Sequence, residues 1–118
     1  QKNKQKLRVG LMANNYKNAK LDLTATTVTT LYTAPAATQS IFKSILVSND
    51  SSSADTITIT ITNSAAAVFS VYKLEEIGAL STEELLKSPL IVMENEILKV
   101  TATTANRLHV VASYLEVT

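Results

Sequence analysis

Asp55-Thr56-Ile57-Thr58-Ile59-Thr60-Ile61-Thr62-Asn63 alternates apolar and polar residues without a fault. Successive side chains of an extended strand point to opposite faces, so Ile57, Ile59 and Ile61 share one face and Thr56, Thr58, Thr60 and Thr62 the other. The stretch predicts a half-buried β-strand whose threonine face is solvated or covered by a partner. The same period continues on both sides. Ser40 to Asn49 sets Ile41, Lys43, Ile45 and Val47 against Phe42, Ser44, Leu46 and Ser48, two partly apolar faces that suit a central strand. Asn49-Asp50-Ser51-Ser52-Ser53 is a turn cluster whose short side chains bond their own backbone. Leu21 to Thr33 reads as one long or two short strands, stopped at Ala34-Pro35-Ala36-Ala37, where proline removes a ladder donor. Ala66 to Leu74 reads as a hairpin return, and Leu90 to Met93, Ile97 to Thr103 and Arg107 to Val117 complete the strands.

Glu75 to Lys87 breaks the period. Ser81 with Glu84 three residues on has the form of a capping box, and Leu80, Leu85 and Leu86 supply a stripe, so a helix of one or two turns is predicted before Ser88-Pro89. The expected fold is all-β: an antiparallel β-sandwich, jelly-roll or immunoglobulin-like, of seven to nine short strands with one short helix. Its expected core is Ile45, Val47, Ile57, Ile59, Ile61, Phe69, Val71, Leu98, Val100 and Val110.

Charge divides the chain unevenly. Residues 1–20 hold Lys2, Lys4, Lys6, Arg8, Lys17 and Lys20 and no acid, while the remainder holds five bases against ten acids, a formal +6 beside −5. The expected organisation is a basic N-terminal arm at 1–20 and a β-sandwich domain at 21–118. Leu7, Val9 and Leu11 alternate with Arg8 and Gly10, a pattern suited to adding a strand to another molecule. Lys2, Lys4, Lys6, Leu7, Arg8, Val9 and Leu11 are therefore the expected partner-binding residues, directed at acidic protein surface. Nucleic acid is the weaker expectation, because only Tyr16 offers a ring for stacking and the body is acidic.

Composition excludes several chemistries. With no Cys there is no disulfide, thiol nucleophile or cysteine-ligated zinc, and one His cannot build a multi-histidine metal site. The lack of disulfides fits an intracellular site of folding. Two glycines leave no phosphate cradle, and the absence of Trp removes the commonest sugar-stacking ring. No run of apolar residues is long enough to span a membrane, and no apolar core follows the basic start, so neither a span nor a leader is expected. His109 would have to serve any Ser-His-acid triad, yet it lies between Leu108 and Val110 with no glycine-rich elbow before any serine. Glu75-Glu76, Glu83-Glu84 and Glu94/Glu96 are carboxylate pairs, but neighbours on a strand or helix point apart. Asp50, Asp55, Glu94 and Glu96 lack the spacing of a calcium loop. No catalytic group, cofactor, metal or small-molecule substrate is expected.

At Thr29-Thr30-Leu31-Tyr32-Thr33-Ala34-Pro35-Ala36 and Lys43-Ser44-Ile45-Leu46-Val47-Ser48-Asn49 the chain resembles small virion structural proteins of tailed bacteriophages, especially those infecting aquatic bacteria. The likeness continues through Asp55 to Thr62, Pro89-Leu90, Asn95-Glu96-Ile97-Leu98-Lys99-Val100, Ala105-Asn106-Arg107-Leu108 and Ala112-Ser113-Tyr114-Leu115-Glu116. Members tend to carry Gly in two turns where Ala36-Ala37 and Glu94-Asn95 stand here. The resemblance implies a non-enzymatic β-sandwich, made in the host cytoplasm, that decorates a capsid or belongs to the neck or tail of a virion. Its implied partners are copies of itself and other virion proteins. The alternative is a carbohydrate- or receptor-binding module of a virion fibre, for which exposed rings among Tyr16, Tyr32, Phe42, Phe69, Tyr72 and Tyr114 would discriminate.

Overall fold

The alternation centred on the isoleucines becomes one of nine strands in the computed structural model, which describes residues 14–118. In chain order these are β1 (Asn14–Asp22), β2 (Thr29–Thr33), β3 (Gln39–Asn49), β4 (Asp55–Thr62), β5 (Val68–Ile77), β6 (Thr82–Glu84), β7 (Leu90–Val92), β8 (Ile97–Ala102) and β9 (Leu108–Val117). One sheet runs β1-β9-β3-β6, with β7 also on β3, and the other runs β2-β8-β4-β5. Every pairing is antiparallel. The chain changes sheet at each step from β1 to β4, returns by hairpin to β5, and then crosses to β6, back to β8 and again to β9.

The two sheets bury one apolar cluster between them. Ile45 and Val47 of β3, Ile57 and Ile59 of β4, Leu98 and Val100 of β8, and Val110 of β9 are fully buried, as their period predicts. Ile61 and Val71 are half-buried against that cluster. Phe69 departs from expectation, being 57% exposed. Its strand is flanked by β4 alone, and their register shifts between Ile57 and Ile59 and again between Ile59 and Thr60. Both shifts fall after Phe69 along β5, so it stays opposite half-buried Ile61 on the inner face and is exposed because it lies on an edge strand. Thr62, expected outward, is buried.

The predicted helix is not formed, and no described residue is helical. Glu75, Glu76 and Ile77 extend β5 by pairing with Ile57, Thr56 and Asp55, which buries Ile77 completely. Ser81 Oγ donates to the Gly78 carbonyl at 2.7 Å. The Glu84 carboxylate reaches across to β3, where it accepts from Ser44 Oγ and, at 2.9 Å, from the Ile45 amide. Leu80 is 73% exposed, so it joins no stripe with buried Leu85.

Sharp turns are made without glycine. Ala37, Ala66, Asn95 and Asn106 hold φ of 56°, 66°, 66° and 67°. Ala37 and Asn95 thus occupy the left-handed region, which glycine enters without steric cost. Asparagine tolerates that region, whereas alanine there is strained by about 1–2 kcal/mol. Ala37→Gly is expected to raise unfolding free energy by about 0.5–1 kcal/mol, the relieved strain less the added chain entropy. Leu98→Ala should cost about 2–5 kcal/mol and Phe69→Ala less than about 1 kcal/mol. Urea unfolding followed by circular dichroism measures all three, and equal losses at Leu98 and Phe69 would contradict this account of the core.

Candidate assembly edges

Along β9 the inward positions are Leu108, Val110, Ala112, Tyr114 and then Glu116. A carboxylate in phase with four apolar residues is a sequence signal for a buried acid, one that spacing between acids does not reveal. Glu116 is only 6% exposed. Lys17 of β1 places Nζ 2.8 Å from its Oε1, and Tyr32 of β2 donates its hydroxyl to Oε2. The same hydroxyl is hydrogen-bonded to Ser40 Oγ of β3. Tyr32, Phe42 and Tyr114 pack around this group with ring centroids 4.6 to 5.3 Å apart. Burial pushes the Glu116 carboxyl up, but the hydrogen bonds from Lys17 and Tyr32 outweigh it and hold the group below the usual carboxylate range. Burial, and then Glu116, push the Tyr32 phenol well above its usual range. The hydrogen bond to Glu116 and its charge raise the Lys17 ammonium.

This network fixes β1 on the sandwich. Lys17 and Lys20 therefore belong to a strand paired with β9 from Asn14↔Val117 to Asp22↔His109, and that strand runs across the arm boundary expected at residue 20. Lys2, Lys4, Lys6, Leu7, Arg8, Val9 and Leu11 lie outside the described residues.

Two long strands close the sheets on opposite sides. β1 and β2 end their sheets on one side and β5 ends its sheet on the other. Among the described residues the outer edge of β1 and the outer edge of β5 pair with nothing. Neither strand contains a proline, the usual device for blunting an edge. β1 exposes Lys20, and β5 exposes Val68 and Phe69, 63% and 57% accessible, at its start and Lys73, Glu75 and Glu76 toward its end.

His109 faces carboxylates on both sides: Nε2 lies 3.2 Å from Asp22 Oδ1 and Nδ1 lies 3.1 Å from Asp50 Oδ2. A nucleophile needs one ring nitrogen turned to a hydroxyl, and here both are turned to acids that tie β1 and the β3–β4 turn to β9. The other acids singled out in the sequence are also dispersed. Glu94 accepts from the Ala37 amide at 2.7 Å, Glu96 from Met93 at 2.9 Å, and Asp55 from Thr104 at 3.1 Å. Among the described residues no three His, Asp or Glu side chains are placed to hold a metal ion.

No family model and no curated protein sequence matches the chain. Among solved structures it is similar to a protein of the Bacillus endospore appendages, a family of disulfide-linked pili, with a TM-score of 0.56 and 11% identity over 91% of this chain and 88% of that one. A protein of the Gx strain of infectious bursal disease virus aligns with a TM-score of 0.48 and 14% identity, over 91% of this chain and 31% of that one. At these identities the likeness to the appendage protein is one of fold.

The buried network sets a pH dependence at both ends. Glu116 has its folded pKa below its unfolded one, so its contribution is present above the ordinary carboxylate value, about 4.3, and is lost as pH falls through the folded pKa. Tyr32 and Lys17 have folded values above their unfolded ones, so their contributions are present below about pH 10 and are lost as pH rises through the folded values. Urea midpoints should be level between these limits and fall on both sides. Glu116→Gln should flatten the acid limb and Tyr32→Phe the alkaline limb, each lowering stability at neutral pH by about 1–3 kcal/mol for the partners left unpaired. Unaltered limbs in both variants would show that the network does not govern them.

Proposed function

We propose that this chain is a non-enzymatic structural subunit that joins copies of itself edge to edge within a bacteriophage virion, attached to the capsid or to the neck or tail through its N-terminal segment. The carrying observation is the pair of open, proline-free edge strands on opposite sides of the sandwich, β1 with exposed Lys20 and β5 with exposed Glu75, Glu76, Val68 and Phe69. Adding β1 of one copy to β5 of the next satisfies backbone donors and acceptors on both, covers the apolar side chains, and sets Lys20 toward acids. The crossings between sheets are those of a jelly roll, a form that recurs in viral capsid domains. The appendage protein lends a precedent for this fold in an assembled fibre. Its pili are disulfide-linked, and this chain has no cysteine, so cohesion here rests on strand pairing, apolar contact and charge.

Leu7, Val9 and Leu11 supply the apolar side of attachment to the virion. Lys2, Lys4, Lys6 and Arg8 supply attraction to acidic surface. Exposed charge pairs contribute at most about 1 kcal/mol each and are screened beyond roughly 8 Å at physiological salt, so the basic residues steer while the apolar ones hold.

Light scattering on the purified chain should give oligomers whose mass rises with concentration. Glu75→Lys with Glu76→Lys should dissociate them, and Lys20→Glu added to that pair should restore association. Deleting residues 1–13 should leave a folded, self-associating body that no longer attaches to the virion. A monomer at tens of micromolar, or oligomers indifferent to these charges, would refute edge-to-edge joining.

A further inference from the structure

The pleat of β1, β9 and β3 turns a defined set of side chains to the outer face of their sheet. Tyr16, Leu115 and Ile41 form one row across the three strands, and Lys20, Val111 and Leu46 form another. Between them lies a row of small residues, Asn18, Ser113 and Ser44. The register of β3 with β9 shifts between Phe42 and Ser44, which makes Lys43 the additional residue of a bulge at this level. At this level a depression of about 400 Å³ is lined by Tyr16, Asn18 and Ser113 of the outer face, by Lys43 of the bulge, and by Lys17 and Tyr114, which the register assigns to the inner face.

Its lining is unlike that of other cavities on the surface. Three others on the surface each contain a carboxylate and no cation: Glu94 in one, Asp55 and Glu76 in another, Asp50 in the third. This one contains two lysines and no acid. The charge of Lys17 is matched by Glu116, whereas Lys43 is exposed and makes no hydrogen bond or ion pair among the described residues. Tyr16 is 77% exposed at the rim, while Tyr32 and Tyr114 are buried in the core. A ring standing in water beside an amide, a hydroxyl and an unmatched ammonium is a combination with a definite complement.

We infer that this depression binds an acidic saccharide. The apolar C–H face of a pyranose stacks on the Tyr16 ring, its hydroxyls meet Asn18 and Ser113, and its carboxylate meets Lys43. A neutral sugar leaves the ammonium unmatched, and a simple inorganic anion makes no use of the ring. The site lies on the outer face of the sheet, away from the hydrogen-bonding edge of β1, so it is available with or without edge-to-edge assembly.

Saturation-transfer difference NMR on the full chain, with sodium glucuronate, N-acetylneuraminate, glucose and inorganic phosphate as separate probes, tests the inference. Either acidic sugar should show saturable binding in the millimolar range, at least about ten-fold tighter than glucose, and should be competed poorly by phosphate. Tyr16→Ala and Lys43→Gln should each weaken it by about ten-fold or more, while Lys73→Gln on the other sheet should not. Both changed residues are exposed, and an unaltered circular dichroism spectrum shows the variants folded. No saturable binding of either acidic sugar, equal binding of glucose, full competition by phosphate, or indifference to both site variants would overturn it. None of these readouts depends on the oligomeric state, so failure here leaves the assembly proposal standing, and the charge-reversal variants of β5 test that one separately.

Discussion

A carboxylate removed from water must be met by donors, and Glu116 is met from both sheets. The group sits on β9 at the level where β1, β2 and β3 converge, and each of those strands sends one polar side chain toward it: Lys17, Tyr32 and, through the Tyr32 hydroxyl, Ser40. Leaving such a charge unpartnered costs several kcal/mol, whereas the complete network adds little net stability over an apolar replacement. Its consequence is geometric. A slip of β1 along β9 by one residue would turn Lys17 to the outer face and strand the acid. Tyr32 comes from the opposite sheet, so the two sheets are fixed relative to each other by the same constraint.

Acids that looked like candidates for chemistry turn out to organise the loops. Glu84, Glu94, Glu96 and Asp55 each accept a backbone amide from a loop or a neighbouring strand. Asn49 does similar work, accepting from Ser51 and donating to the Ser53 and Ile77 carbonyls. Only Gly10 and Gly78 are glycines, and among the described residues alanine, asparagine and leucine take the left-handed positions instead. Side-chain acceptors hold those turns closed. Each of these carboxylates is committed to a backbone amide, and among the described residues no three acids or histidines are placed to hold a metal ion.

The two-residue period was readable wherever a strand is covered on one face, and it located β3, β4, β8 and β9 to within a few residues. It failed where pairing partners rather than local pattern decide the outcome. Ser81 and Glu84 have helix-cap spacing, but the acceptors and donors they use are Gly78 and the distant Ser44 and Ile45. Alternation through β5 predicts Phe69 inward, and its pairing with Ile61 keeps it on that face, but an edge strand flanked by β4 alone leaves the ring exposed. Asn14 to Lys20 shows no apolar alternation, since β1 is an edge strand paired on one side only, and its lysines drew it into the basic arm. The depression at Lys43 likewise rests on a bulge, and bulges have no signature in a sequence of ordinary strand residues.

The two edges proposed to meet are different surfaces, and that difference determines what kind of object can form. A contact between unlike patches is heterologous, so repetition closes into a ring when the rotation per copy divides a full turn and otherwise continues as a helix. Backbone bonds between edges are satisfied in several registers, so the side chains select the joint, and Lys20 on one side and Glu75 and Glu76 on the other oppose like-edge pairing by charge. Without cysteine the joint is reversible, and its occupancy follows subunit concentration. A subunit of this kind gains permanence from the number of joints rather than from the strength of any one. The outer face of the β1–β9–β3 sheet takes no part in them, so assembly along the edges would repeat the Tyr16–Lys43 depression once per copy and turn a weak site into a multivalent surface.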